Sequence, residues 1–228
     1  MNTPNLIANS ARCISATAIF CTIFVAGCSS LPVPPPRPVL YDFGPGVLPA
    51  SAAQPAATLP AIALADVEGV GNADTSTTVL YRLAYADARQ RLPYQLARWS
   101  LPPTQLVEQS LRAQLGQRRA VLRTEDGLAA ARSASANSLG GSQPDVLRVR
   151  LEEFSQVFSS EAESVGLIHL RATLTEPTAA GEKLHGQHLL VVQQPARSLD
   201  AAGGTRALAE ASTQVAQELA QWLEQMGR

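Results

Sequence analysis

Apolar and polar positions alternate most regularly between residues 146 and 194. Leu147, Val149 and Leu151 alternate with Arg148, Arg150 and Glu152. That period of two sets one face of a strand toward a core and the other toward water. Phe154 breaks the parity, which predicts a bulge or bend near it. In a second run, Val165 to Glu176, Ile168, Leu170, Ala172 and Leu174 oppose His169, Arg171 and Thr173. A third covers Leu184 to Gln194, after a turn between Glu176-Pro177 and Gly181-Glu182. Long alternating runs joined by tight turns predict an antiparallel meander, with its strands over 146–158, 165–176 and 184–194.

Two stretches carry the helical period instead. From Thr104 to Arg118, Leu106, Val107, Leu111 and Leu115 fall near one face, while Glu108, Gln109, Arg112 and Gln117 face away. Pro102-Pro103 precede this stretch, where proline suits a helix start. Near the C-terminus Leu208, Ala211, Val215, Leu219 and Trp222 recur at helical spacing up to Met226. Ser198 reads as the N-cap, and Gly203-Gly204 defers the expected start to about Thr205.

Shorter strands are predicted upstream: Ile62 to Val67, Thr77 to Leu83, Leu92 to Leu96 after a turn at 86–91, and Val121 to Thr124. Glu68–Thr77 and Glu125–Pro144, rich in small and turn-forming residues, read as loops. Within the latter, Ser138-Leu139-Gly140-Gly141-Ser142 lacks the Gly-x-Ser-x-Gly register of a nucleophile elbow. Leu139, Phe154, Val157 and Phe158 are expected in the core rather than in an exposed rim patch. The sum is an α+β fold: a two-layer sandwich of a mainly antiparallel sheet packed against two main helices.

The N-terminal quarter follows another logic. Met1 to Arg12 is weakly basic, and Ile14 to Val25 is uncharged and apolar. About twelve apolar residues suit a signal peptide and fall short of the roughly 20 that cross a bilayer. The run ends in Val25-Ala26-Gly27-Cys28, which looks like a bacterial lipobox: small residues admitted by a peptidase groove, then a cysteine that takes the lipid. The competing reading is an uncleaved anchor. Nine prolines between Leu31 and Pro60 make the next segment a tether. At about 3.1 Å per residue, some thirty such residues would hold a body tens of Å from a membrane. Val39-Leu40-Tyr41-Asp42-Phe43 interrupts it, as a short edge strand on the body or as part of the tether. Three segments follow: 1–27 as signal peptide, 28–58 as lipidated Cys28 plus tether, and 59–228 as the folded body.

Charge and cysteine content narrow the function. The formal net charge is −1 and no basic block exists, which disfavours nucleic acid as a partner. Cys13 and Cys21 leave with the leader and Cys28 is acylated, so the body holds no thiol for a disulfide or a Cys-bound metal. His185 and His188 would point to opposite faces of a strand, and His169 would share a solvated face with Arg171. Glu152-Glu153 and Glu161/Glu163 read as solvated carboxylates rather than an acid–base pair. No Gly-x-x-x-x-Gly-Lys loop is present. No cofactor, no metal and no enzymatic activity are expected.

Arg98 and Trp99 stand out. One reading is structural: Trp99 packs over the helix start and Arg98 pairs with a carboxylate or carbonyl. The other puts both at a subunit or partner surface, where Trp and Arg are enriched.

The order of Val79-Leu80-Tyr81-Arg82, Leu92-Pro93-Tyr94, Arg98-Trp99 and Pro102-Pro103 before a helix resembles the ABC-type transport auxiliary lipoprotein family (PqiC-like). The likeness spans roughly residues 40 to 226, behind the lipobox. Two features depart from it: 68–77 lacks a proline-leucine segment, and the N-terminal tyrosine appears only as Tyr41-Asp42-Phe43. The resemblance implies a non-enzymatic lipoprotein subunit of an MCE-type transport system, docking a periplasmic MCE-domain protein for lipid movement between membranes. It also implies possible homo-oligomerisation, and partner contacts at Arg82, Tyr94, Arg98 and Trp99. Ser29, rather than Asp, after the cysteine fits outer-membrane sorting by enteric rules, on the periplasmic face. The alternative function is a lipoprotein regulator of a cell-envelope enzyme.

Overall fold

A computed structural model describes residues 36–45, 59–71, 75–124 and 143–228. The signal peptide, Cys28, most of the tether and most of the 125–144 loop, including Leu139, lie outside the described residues. The strands are β1 (Val39–Tyr41), β2 (Ile62–Leu64), β3 (Glu68–Gly69), β4 (Thr78–Leu83), β5 (Leu92–Trp99), β6 (Val121–Arg123), β7 (Asp145–Phe158), β8 (Ser164–Thr178) and β9 (Gly181–Pro195). The helices are α1 (Ala84–Asp87), α2 (Pro103–Leu115) and α3 (Ala201–Gln225).

The meander forms as its alternation predicts. β7 pairs antiparallel with β8, and β8 with β9. The parity break becomes a register shift between Leu151 and Glu153, so Leu151 and Phe154 both reach the core. Phe158 is buried as well.

The other side of β7 is not antiparallel. Three short strands occupy it in turn, all parallel: β2 along Asp145–Leu147, β3 along Arg150–Leu151 and β4 along Gln156–Phe158. β6 pairs parallel with β2, β4 pairs antiparallel with β5, and β5 carries β1 in parallel. The sheet is therefore mixed, which corrects the expectation of a mainly antiparallel one. Hydrophobic alternation states which face of a strand is buried. It is silent on the direction of the neighbour, which depends on how the intervening chain returns.

Two helices cover one face. Leu106, Val107, Leu111 and Leu115 of α2 and Leu208, Ala211, Val215, Leu219 and Leu223 of α3 are buried. They share one core with Leu147, Leu151, Ile168, Leu170, Leu174, Leu190 and Val192 of the meander. α2 begins at Pro103, one residue before the expected start, with proline in the first turn where no amide donor is needed.

α3 starts earlier than expected. Its N-cap is Asp200, whose Oδ1 accepts the Gly203 amide at 2.8 Å. Ser198, the expected cap, donates its hydroxyl to that same carboxylate at 2.7 Å. Both bonds hold Asp200 below the usual carboxylate range, the Ser198 hydroxyl first. Gly203-Gly204 does not delay the helix, because both residues answer to crowding. A Cβ on Gly203 would lie 2.1 Å from the Ser198 carbonyl oxygen, and one on Gly204 would lie 2.0 Å from Gln156 Oε1. In an open helix Gly→Ala is worth about 1 kcal/mol of stabilisation. Here Gly204→Ala is expected to reverse that sign and cost about 1–3 kcal/mol through overpacking, read as a lower urea midpoint.

Candidate functional site

Arg82, Tyr94, Arg98 and Trp99 lie on β4 and β5, beside the C-terminal half of β7. The hairpin between them turns through the single helical turn α1. Arg82 closes it. Its Nη1 donates to the carbonyls of Ala88 and Arg89 at 3.0 and 3.1 Å. Its Nε and Nη2 form a two-point bond to Glu153, at 3.2 and 2.6 Å. The Ser155 hydroxyl donates to the same carboxylate at 2.7 Å. Burial works against the Glu153 charge, but the Arg82 and Ser155 bonds prevail and hold its carboxyl below the ordinary value.

Tyr94 donates its hydroxyl to Gln156 Oε1 at 2.8 Å, and Gln156 Nε2 donates to the Ser164 hydroxyl at 2.8 Å. Burial, then the nearby Tyr81 and Asp200, push the phenol up to about 12. The Tyr81 and Tyr94 rings stand 4.6 Å apart. Gln156 thus joins β5, β7, the start of β8 and Gly204 of α3 through one buried amide, which nothing in the sequence pattern marked.

Trp99 and Arg98 part company. β5 runs to Trp99, three residues beyond the predicted Leu96. Along it Ala97 and Trp99 face the core while Arg98 faces outward. Trp99 is 1% exposed, with its ring edge-on to Phe43 and Phe154 at 5.9 and 5.5 Å. A buried indole offers no contact to a partner, so the packing reading describes Trp99, which shares its core cluster with Leu106 and Val107 of the helix that follows. Arg98 Nη1 donates to the carbonyls of Tyr94 and Ala97 at 2.8 and 2.7 Å. No carboxylate among the described residues lies within ion-pair distance of it. Neighbours on a strand point to opposite faces, so this pair forms no joint surface.

A cleft of about 390 Å³ opens beside Arg82, lined by Val70, Leu80, Arg91, Glu152, Glu153 and Phe154 among others. Its carboxylates are already engaged. Glu153 holds Arg82, and Glu152 accepts Arg171 Nε at 2.9 Å and lies 3.2 Å from His169 Nε2. Hydrogen bonding from Arg171, the first cause, keeps Glu152 low. Both were expected as solvated carboxylates. The bulge at Glu152 turns them apart, and Glu153 is drawn inward.

The histidines also differ from expectation. A register shift opposite Thr175 places His185 at a bulge of β9, which cancels the parity that would separate it from His188. His188 stacks on Trp222 with ring centroids 5.4 Å apart. His185 Nε2 lies 3.2 Å from Glu176, 3.7 Å from Asp145 and 3.1 Å from Arg228 Nη2. Neither is a loose surface ring. Among the described residues no group of three His, Cys, Asp or Glu side chains is placed to hold a metal, and no helix is long and apolar enough to cross a membrane.

No protein-family model matches this chain, and no curated protein matches it. Solved structures do. A DUF330-family protein from Xanthomonas campestris superposes with a TM-score of 0.57 at 20% identity, over 76% of this chain and 90% of its own. An uncharacterized protein gives 0.53 at 14% identity, over 82% and 99%. At such identities the likeness carries the fold alone.

Proposed function

We propose that this chain is a lipid-anchored, non-enzymatic subunit of an MCE-type transport system. In this reading it sits on the periplasmic face of the outer membrane and docks the periplasmic MCE-domain protein for lipid movement between membranes. One observation carries the reading: Val25-Ala26-Gly27-Cys28 ends an apolar run of signal-peptide length and leads into a proline-rich segment. The order of Tyr81-Arg82, Tyr94 and Arg98-Trp99 before a proline-led helix supports the transport assignment, and the fold shared with a DUF330 protein is compatible with it. Arg82 and Glu153 are absorbed in each other, and Tyr94 in Gln156. Their part is to hold the β4–β5 hairpin on β7, while Arg98 alone of the quartet presents a free side to a neighbour.

Two measurements test this. Cys28→Ser is expected to abolish acylation and to leave a precursor with its leader attached; a wild-type Cys28 peptide without a diacylglyceryl mass is the contrary result. Affinity capture from detergent-solubilised envelope is expected to recover an MCE-domain protein. Recovery of a cell-wall synthase without it would overturn the transport assignment.

A further inference from the structure

β9 is the free side of the meander. Among the described residues it pairs with β8 alone, over the whole of Gly181–Pro195. Its other side presents a row of backbone N–H and C=O groups to which no described strand is paired. Natural sheets guard such an edge with a charge, a proline or a bulge. β9 carries those devices only at its ends: Lys183 and the His185 bulge at one, Pro195 at the other. From Gly186 to Pro195 its register with β8 is unbroken. Over that stretch Leu190 and Val192 are buried, while Leu189 and Val191 face outward, 49% and 54% exposed. The short strands β1 and β6 have three residues each, too few for a comparable edge.

The residues along this edge select what can pair with it. No Asp, Glu, Lys or Arg lies between Lys183 and Arg197, and the midpoint of that run is Leu190. The two flanking charges are met within their own chain, Lys183 by Glu176 at 3.7 Å and Arg197 by Glu210 at 3.4 Å. Two such strands, set antiparallel about a two-fold axis at Leu190, bring Leu189 of each copy opposite Val191 of the other. Gln187 then stands opposite Gln193, and Leu190 meets its own counterpart. Opposed residues share a face, as cross-strand pairing requires. Apolar meets apolar, amide meets amide, and no like charges meet. Moving the axis one residue either way sets an outward apolar side chain against a glutamine. The strand is complementary to itself in one register.

We propose that β9 pairs with β9 of a second copy, joining two sheets into one through Gln187–Gln193. An isologous contact of this kind closes on itself as a dimer and leaves neither β9 edge open. It uses neither Cys28 nor the cluster around Arg82, so it stands or falls apart from the transport reading.

The test uses full-length protein in a mild detergent. Light scattering is expected to read two chains per particle. Val191→Lys, at an exposed position, is expected to weaken the dimer at least several-fold. At dilutions where both proteins are monomeric, variant and wild type should unfold at the same urea concentration. A second measurement fixes the register. Leu189→Cys protein is mixed with Val191→Cys protein and oxidised, and disulfides are mapped by peptide mass. Linkage of 189 to 191 is expected several-fold above 189 to 189 or 191 to 191. A wild-type monomer throughout the micromolar range, a dimer indifferent to Val191→Lys, or cross-links that favour like positions overturns the proposal. So does a cysteine at 191 that cross-links in intact cells to another protein and not to a second copy, which assigns the edge to a foreign strand.

Discussion

Trp99→Ala is expected to be the most damaging single substitution in the body, at about 3–5 kcal/mol. The indole is fully enclosed, with Phe43 and Phe154 edge-on to it and Tyr41 beside it in register. Truncation removes its dispersion contacts and leaves a cavity between β1, β5 and β7, where relaxation would require three strands to move together. For a body near 190 residues that corresponds to a fall in melting temperature of roughly 10–15 °C. Arg98→Ala, one residue away, removes only bonds to carbonyls of its own strand, and a change within about 0.5 kcal/mol is expected. Differential scanning calorimetry of the two variants reads both. Equal losses would mean that Arg98 is built into the core and that the outward assignment is mistaken.

Arg82→Ala follows, at about 2–4 kcal/mol at neutral pH. The ion pair is mostly enclosed, with side-chain exposures of 17% and 15%. Removing one partner of a buried pair strands the other charge, which typically costs 3–5 kcal/mol, reduced here by residual solvent. The substitution also frees the carbonyls of Ala88 and Arg89. The pH dependence separates the charge from the packing. Glu153 has a folded-state pKa below its ordinary 4.5. Its contribution in the wild type is therefore complete above about pH 4.5 and is lost as pH falls through the lower folded value. In the variant only burial and the Ser155 bond remain, and burial favours the protonated acid. The gap between wild type and variant should be widest near pH 7 and should narrow below about pH 4.5. Urea unfolding of both proteins at pH 7 and pH 4 measures it. A gap independent of pH would reduce Arg82 to a hydrogen-bond donor for the hairpin.

The long meander and both main helices were readable from periodicity because each buries a regular face over many residues, and even the β7 bulge announced itself in the misplaced Phe154. Sheet direction was not readable. β2, β3, β4 and β6 are two to six residues long, too short for their pattern to identify a partner, and their parallel pairing is set by the chain between them. Gly203-Gly204 misled for a related reason. Glycine weakens a free helix, but beside Ser198 and Gln156 it is the residue with room to fit. The quartet around Arg82 was visible as a motif while its division into inward and outward members was not.

What residue order determines unaided is local: which stretches alternate, which repeat every 3.6 residues, and where an apolar run gives way to Cys28 and a string of prolines. These follow from backbone geometry and side-chain solubility within a few residues. What only tertiary structure decides is which of these elements meet. β1 closes the edge beside β5, Gln156 gathers four segments around one amide, and Leu40 comes level with Arg98. Such contacts join residues far apart in the chain, where excluded volume and the satisfaction of buried polar groups choose among arrangements that local propensity leaves equal.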